Sequence, residues 1–345
     1  MQIRENISLR QYNTFGIDVR ARYFSSFTHI DEVAEWLEKN RRVKKMILGG
    51  GSNILFTGDI DGMVLKNEII GIEEIKEDDT YVYVQAGAGE NWHRFVQYCI
   101  RRNWAGLENL SLIPGNVGAA PMQNIGAYGG ELQEAFNSLS AYHLYDKRIQ
   151  HFTAGDCAFG YRESVFKKKY KDQFIILNVT FRLHKYPVFH ISYGAIRQEL
   201  EKMGVRELSI QAIAQAVINI RSSKLPDPAV IGNAGSFFKN PEISQEQFNT
   251  LEKAYPGMPH YPAKKYALSD NDHGKMVKLA AGWLIEQCGW KGFRRGDAGV
   301  HVNQALVLVN YGTATGKEVY DLSGEIMHSV YKKFGVLLER EVNIV

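Results

Sequence analysis

The chain has 345 residues, 45 % of them hydrophobic and 23 % charged, with a formal net charge of +3. That length implies two or three domains and a core that needs neither disulfide nor metal, while so small a charge argues against a nucleic-acid partner. Cys99, Cys157 and Cys288 are odd in number and far apart, with no C-x-x-C, which excludes a disulfide scaffold and a four-cysteine zinc site and fits a reducing compartment.

The N-terminus, MQIRENISLRQYNTF, has no apolar signal core, and no run reaches ~18 apolar residues, so a cytoplasmic protein without a membrane anchor is expected. Thr28 and Asp31 open an amphipathic helix with Val33, Trp36 and Leu37 on one face. Lys45–Leu48 and 63–66 read as short strands, with LGGGSNILF at 48–56 between them. Residues 81–86 alternate as a strand and run into Gly87-Ala88-Gly89. Trp92, Phe95, Val96, Cys99 and Ile100 then recur at helical spacing, which predicts a helix over 90–102.

Residues 113–130, IPGNVGAAPMQNIGAYGG, hold five glycines, three alanines and no charge. Such a stretch makes a poor core and a poor solvated loop, but it lets backbone approach a large polar ligand. Successive N–H groups in turns of this kind form concavities for phosphate oxygens. With GGGSN at 49–53 having the same character, one long ligand carrying a diphosphate is the simplest occupant. Neither loop fits the dinucleotide fingerprint, and no P-loop occurs, which points to a flavin.

Residues 139–145 and 174–183 alternate as strands, giving a sheet-rich α+β middle to the chain. A turn-rich connector is expected at 221–228. Ser244 and Gln247 then match a capping box for a helix through Ala254. Val277, Ala280, Ala281, Leu284, Ile285 and Cys288 predict a helix, 305–309 a strand, and Thr315 with Glu318 the start of a last helix carrying Val319, Leu322, Ile326 and Val330. The tail, 336–345, reads as a strand bearing Glu339 and Glu341.

Three polar segments bear on chemistry. Arg162 in Tyr161-Arg162-Glu163-Ser164 could fork onto a carboxylate. Ser236, in GNAGSFFKNP at 232–241, lacks the second glycine of a nucleophile elbow, so it suits proton donation better than attack. Asp270-Asn271-Asp272-His273-Gly274 suggests calcium, but the twelfth position is Ala281 and the reading is rejected; ten histidines without paired spacing give no metal site. The run Lys167-Lys168-Lys169-Tyr170-Lys171 reads as a solvated face or a steering patch for an anionic substrate.

Together NTFGI at 13–17, GGGSN at 49–53, IPGNVGAAPMQNIGAYG at 113–129, YRES at 161–164, KLPDP at 224–228, GNAGSFFKNP at 232–241, KLAAGWLIEQCGWKG at 278–292 and LEREV at 338–342 closely resemble the UDP-N-acetylenolpyruvoylglucosamine reductase family, nearly end to end. The resemblance implies an α+β flavoprotein fold of the vanillyl-alcohol-oxidase type. FAD-binding subdomains would span 1–68 and 69–218, a substrate domain 219–330, and a tail, 331–345, would return to the FAD site. It implies non-covalent FAD held by Gly49, Gly50, Gly51, Ser52 and Asn53, and by Ile113, Pro114, Gly115, Gly118, Ala119, Pro121, Gln123, Asn124, Gly126, Ala127, Tyr128 and Gly129. NADPH would be the electron donor.

By the same resemblance, Arg162 and Glu341 hold the carboxylate of an enolpyruvyl UDP-sugar and Ser236 protonates the adjacent carbon. Tyr193, Arg221, Lys224, Asn240, Tyr261, Lys278 and Gln304 match substrate contacts, and His190-Ile191-Ser192-Tyr193-Gly194 marks the branch with a tyrosine-bearing loop. The segment 263–275 is longer than the usual connection. Burial and a like charge would keep Glu341 protonated, able to donate to an enolic carboxylate. Strand alternation puts Glu339 on the same face, and only the motif selects Glu341. A monomer is expected. Another sugar or lactone oxidoreductase on the same flavin fold, or a non-catalytic sugar-nucleotide-binding regulator, are the competing readings.

Overall fold

The alternation at 81–86 and 174–183 becomes the centre of a five-stranded antiparallel sheet. Its order is Arg148–Thr153, Phe136–His143, Phe174–His184, Tyr81–Gly87, Ile72–Glu77 in a computed structural model that describes residues 1–40, 42–264, 266 and 276–345. Val82, Val84 and Ala86 are buried in one core with Trp92, Phe95, Val96, Cys99 and Ile100 of the helix Trp92–Arg101. Asn91 starts that helix by accepting from Arg94 N at 3.0 Å, which satisfies one of the first-turn donors. The strand expected to reach 145 stops at His143, because 144–147 form the hairpin turn, closed by Lys147 N to His143 O at 2.9 Å.

A second sheet runs Arg4–Ser8, Arg20–Phe27, Ile60–Asn67, Lys45–Leu48, the last two parallel. The helix Ile30–Lys39 buries Val33, Trp36 and Leu37 against Phe27, Met63 and Leu65. Its first turn is closed by Glu32, whose carboxylate accepts from the Thr28 and His29 amides at 3.1 and 3.2 Å.

A third, antiparallel sheet is ordered Gly232–Ser236, Val307–Asn310, Ala298–Val300, Arg294–Arg295. The helix Gly316–Phe334 packs on its two central strands. Thr315 and Glu318 form the full reciprocal cap read from the sequence.

Further sequence expectations need correction. Residues 221–224 are helical, the last turn of Ile210–Lys224; the apolar face Ile213, Val217, Ile220 carries on until Pro226 disfavours helix at Leu225. Val277 belongs to a strand, Met276–Leu279, paired with both Glu242–Ser244 and His260–Pro262, and the helix begins only at Ala281. A short apolar run fits either period, and here its sheet partners decide. The tail is a strand only at Asn343–Ile344, parallel to Ile54–Leu55. Val336, Leu338 and Val342 are buried as alternation predicts, but alternation reports the buried side, not a backbone partner.

The elements fall into two compact units. The first is Met1–Ile7, Ala21–Gly50 and Asp61–Ser223; the second is Ser8–Arg20, Gly51–Ile60 and Lys224–Val345.

Candidate active site

In the first unit Gly49 and Gly50 meet the glycine-rich loop at 113–130. A Cβ on Gly50 would lie 2.6 Å from Asn116 Oδ1 and 2.8 Å from Gly115 Cα, so only glycine permits this contact. Residues 115–118 lie in turn on the corner that joins Tyr81–Gly87 to the following helix. Trp92 N donates to Gly115 O and Gly118 N to Ala88 O, both at 2.9 Å, and Asn116 Nδ2 donates to Gly89 O at 2.7 Å. A Cβ on Gly118 would stand 2.5 Å from that of Ala88. Val117, Ala120 and Pro121 are buried, with Ile113 and Ala127 packed partly against the same core. The loop is thus held from beneath by apolar side chains.

Gly129, at φ +86°, differs from these: a Cβ there would meet no atom within 4 Å. Close-packed glycine beneath and an uncharged, open backbone above suit a large ligand such as FAD, and the residues present fit it. Asn124 is an exception at the side-chain level. It is fully buried, and its amide is committed to Glu131, Gly160 and the Gln133 N–H, which leaves only its backbone for a ligand.

Arg162 projects toward the same loop and donates from Nη2 to Gly126 O at 2.5 Å. Nearby, the Tyr128 and Tyr193 rings meet edge to face with centroids 5.4 Å apart. Asn109 ties the two tyrosine-bearing segments together, donating to both Tyr128 O and His190 O at 2.9 Å. Arg221 donates to Leu112 O at 3.2 Å. Burial lowers the pKa of its guanidinium, Tyr128 opposes that, and the charge of Arg162 lowers it further. Burial, then Arg221, lowers that of His93, whose Nδ1 accepts from Leu112 N. Two mutually repelling, partly desolvated arginines beside exposed tyrosine make a place for an anion.

In the second unit, Ser236 ends the strand Gly232–Ser236 opposite Val307, half-buried, ahead of the fully buried Phe237 and Phe238. The tail comes alongside. Glu341 N donates to Phe237 O at 2.8 Å, Lys239 N to Glu339 O at 2.9 Å, and Phe238 bridges Arg340. This register sets Glu341 one residue from Ser236. Asn53 Nδ2 donates to Glu341 O at 3.4 Å, while Asn53 O accepts from Asn343 N at 3.1 Å, so Asn53 lies beside the tail. The Glu339 carboxylate is 2.6 Å from the buried Lys239 Nζ.

The profile of a family described as "FAD binding domain" matches residues 21–147, and that of "UDP-N-acetylenolpyruvoylglucosamine reductase, C-terminal domain" matches 227–345. Curated proteins named UDP-N-acetylenolpyruvoylglucosamine reductase from Flavobacterium johnsoniae and Amoebophilus asiaticus are 49 % and 51 % identical to the chain, each covering 100 % of both sequences. The chain belongs to the UDP-N-acetylenolpyruvoylglucosamine reductase family. The crystal structure of that enzyme from Thermus caldophilus is similar in fold, with a TM-score of 0.67 over 99 % of each chain at 24 % identity. As a family member the chain is an FAD-dependent oxidoreductase of α+β fold.

The remaining substrate candidates of the family lie in or at the edge of the second unit, in varied roles. Asn240 Oδ1 accepts from Ala281 N at 3.0 Å and so starts the helix Ala281–Gln287. Lys278, nearly buried, pairs with Glu242 at 3.3 Å and sits opposite the exposed Tyr261 in the sheet. Gln304 Oε1 accepts from Leu306 N at 3.3 Å, and Lys224 is an exposed helix end. The motif 270–274 and most of 263–275 lie outside the described residues. Among the described residues no cluster of metal-ligating side chains occurs, and no helix is long and apolar enough to cross a membrane. Sequence reasoning missed Asn109, Glu131 and Lys239: Asn109 and Lys239 act through partners 81 and 100 residues away, and Glu131 through the fold of its own loop onto Asn124 and Gln133, none of which local spacing reveals.

Proposed function

We propose that the chain reduces UDP-N-acetylglucosamine enolpyruvate to UDP-N-acetylmuramate, with NADPH as electron donor, for peptidoglycan synthesis. The observation that carries the reading is the register that sets Glu341 one residue from Ser236 within a chain related along its whole length to enzymes of that name. FAD, when bound, supplies the hydride that NADPH provides and the terminal carbon of the enol ether receives.

The chain's residues do the rest. The glycine loops at 49–53 and 113–129 hold the cofactor. Arg162 grips the substrate carboxylate with the planar fork of its guanidinium, and Arg221, Tyr193 and Tyr261 hold the nucleotide sugar with Lys224, Asn240, Lys278 and Gln304. As negative charge develops on the carboxylate, Arg162 and a neutral Glu341 donate to it, and Ser236 gives its proton to the adjacent carbon. A preorganised donor of that kind contributes about 2.7–4 kcal/mol. The protein works as a monomer in the cytoplasm. Burial pushes the Cys157 thiol up to about 12 and raises that of Cys99, so both stay protonated.

The purified protein is expected to be yellow, to bleach with NADPH in the absence of air, and to recolour when the enolpyruvyl UDP-sugar is added. Ser236→Ala should bleach normally and recolour about 10²–10⁴-fold more slowly, the usual contribution of a positioned acid. Bleaching without recolouring in the wild type overturns the substrate assignment, and equal slowing of both steps in Ser236→Ala overturns the role of Ser236.

A further inference from the structure

Arg162 has φ +55°, in the left-handed region that residues bearing a side chain disfavour, so its turn must be held from outside. The turn closes through Gly160 N to Glu163 O at 3.0 Å and Glu163 N to Gly160 O at 3.3 Å. It is then tied at both ends to a second turn, 121–124, in the glycine-rich loop. Asn124 Nδ2 donates to Gly160 O at 3.1 Å, and Ser164 Oγ donates to Met122 O at 2.7 Å. Both ties are dry, for Asn124 is 0 % and Ser164 2 % exposed.

Asn124 is itself held in orientation. Its Oδ1 accepts from Gln133 N at 3.0 Å, and its Nδ2 also reaches Glu131 Oε2 at 3.3 Å. The buried Glu131 is fixed by a second bond, from Gln133 Nε2 at 2.7 Å. Glu131 and the guanidinium flank Gly126: a Cβ there would lie 2.8 Å from Arg162 Nη1 and 3.0 Å from Glu131 Cγ. The 160–164 turn, the glycine-rich loop and the arginine are therefore one connected assembly.

We propose that Asn124 and Ser164 are positioning residues for Arg162, with Glu131 orienting Asn124: they clamp the two turns together so that the guanidinium is preset for the substrate carboxylate. The proposal rests on the reading of Arg162 as the group that holds that carboxylate. Presetting matters because a long side chain ordered only on binding spends interaction energy on its own immobilisation. It also gives Asn124 a task that its buried, saturated amide can perform.

The test uses FAD-loaded Ser164→Ala, Asn124→Asp and Arg162→Lys, and the doubles that join each of the first two to Arg162→Lys. Asn124→Asp keeps the shape, removes both N–H donors and sets a second carboxylate against Glu131. NADPH bleaching and substrate-driven recolouring are followed by stopped flow, with FAD content and Tm measured on the same samples.

In Ser164→Ala, FAD content and bleaching should stay near wild type, and in both Ser164→Ala and Asn124→Asp recolouring per bound FAD should slow by about 10²-fold, the loss expected of a reacting group misplaced by an ångström. Each double should recolour no more slowly than Arg162→Lys alone, because the clamp acts through that guanidinium. Losses that multiply in the doubles, or equal slowing of both steps, overturn the positioning role. Wild-type recolouring in Ser164→Ala and Asn124→Asp beside a slow Arg162→Lys overturns it too, and leaves the reading of Arg162 standing. Wild-type recolouring in Arg162→Lys instead removes Arg162 from the carboxylate, and the clamp with it.

Discussion

Glu339 and Glu341 are two residues apart, and a stretch of backbone pairing gives them different work. Glu341 N is bonded to Phe237 O and its side chain is half-buried, one position from Ser236. Glu339 is exposed and bonded to Lys239 Nζ. Glu341→Gln keeps an uncharged donor of similar size, so if Glu341 works as a neutral acid it retains far more substrate-driven recolouring than Glu341→Ala. Glu339→Gln should recolour as the wild type does, with a small fall in Tm from the weakened tie to Lys239. Equal loss in Glu341→Gln and Glu341→Ala would show that a neutral donor is not enough. A Glu339→Gln variant that binds FAD but fails to recolour, beside an active Glu341→Ala, would reverse the assignment within LEREV.

At the scale of elements, stability and legibility have the same source. The helix Trp92–Arg101 was readable because five apolar residues recur on one face, and those five are the ones buried. Phe95, 0 % exposed and packed against Phe181 with ring centroids 4.7 Å apart and planes tilted by 40°, joins that helix to the sheet. Phe95→Ala should therefore cost about 3–5 kcal/mol in chemical denaturation. Thr315→Ala removes a cap from Gly316–Phe334 and should cost only about 0.5–2 kcal/mol. Bonds from the Thr315 amide, then from its hydroxyl, depress the Glu318 carboxyl. Its contribution is complete above the ordinary glutamate range and is lost as pH falls through the depressed value. The Thr315→Ala deficit should accordingly shrink in acid by the part that the hydroxyl's bond to this carboxylate supplies, while the part from Glu318 N to the Thr315 hydroxyl oxygen remains; no deficit at any pH would refute the cap. By contrast, the strand at Val277 and the single bridge at Arg340 were not readable. Their conformations are decided by partners at 242–244, 260–262 and 238, and local periodicity carries no trace of those. The candidate site divides the same way: motif resemblance proposes Ser236, Arg162 and Glu341, while contacts such as Ser164 to Met122 and Lys239 to Glu339 are visible only in the structure.

At the scale of the whole molecule, the second unit takes two segments from early in the chain, Ser8–Arg20 and Gly51–Ile60, into a body otherwise made of Lys224–Val345. No proline-rich or charged linker marks those crossings, so composition gave no sign of them. Their contacts are internal to that unit's core. Asn233 N donates to Thr14 O at 3.0 Å, Asn310 Nδ2 donates to Phe15 O at 2.9 Å, and Ile54–Leu55 pairs with Asn343–Ile344. The approach is close enough that a Cβ on Gly232 would collide with Phe15 O, and one on Gly316 with Phe56 O. Phe15 and Phe56 are fully buried. A fragment 224–345, though it spans the whole match to the C-terminal family profile, lacks both aromatic side chains and an edge partner for its last strand. It should accordingly show no cooperative thermal unfolding and poor amide dispersion in NMR. Adding the peptides 8–20 and 51–60 in excess should recover some structure, since ligands that bind only the folded state stabilise it by mass action. A fragment that unfolds cooperatively by itself would show that the inserted segments decorate the second unit without holding it together.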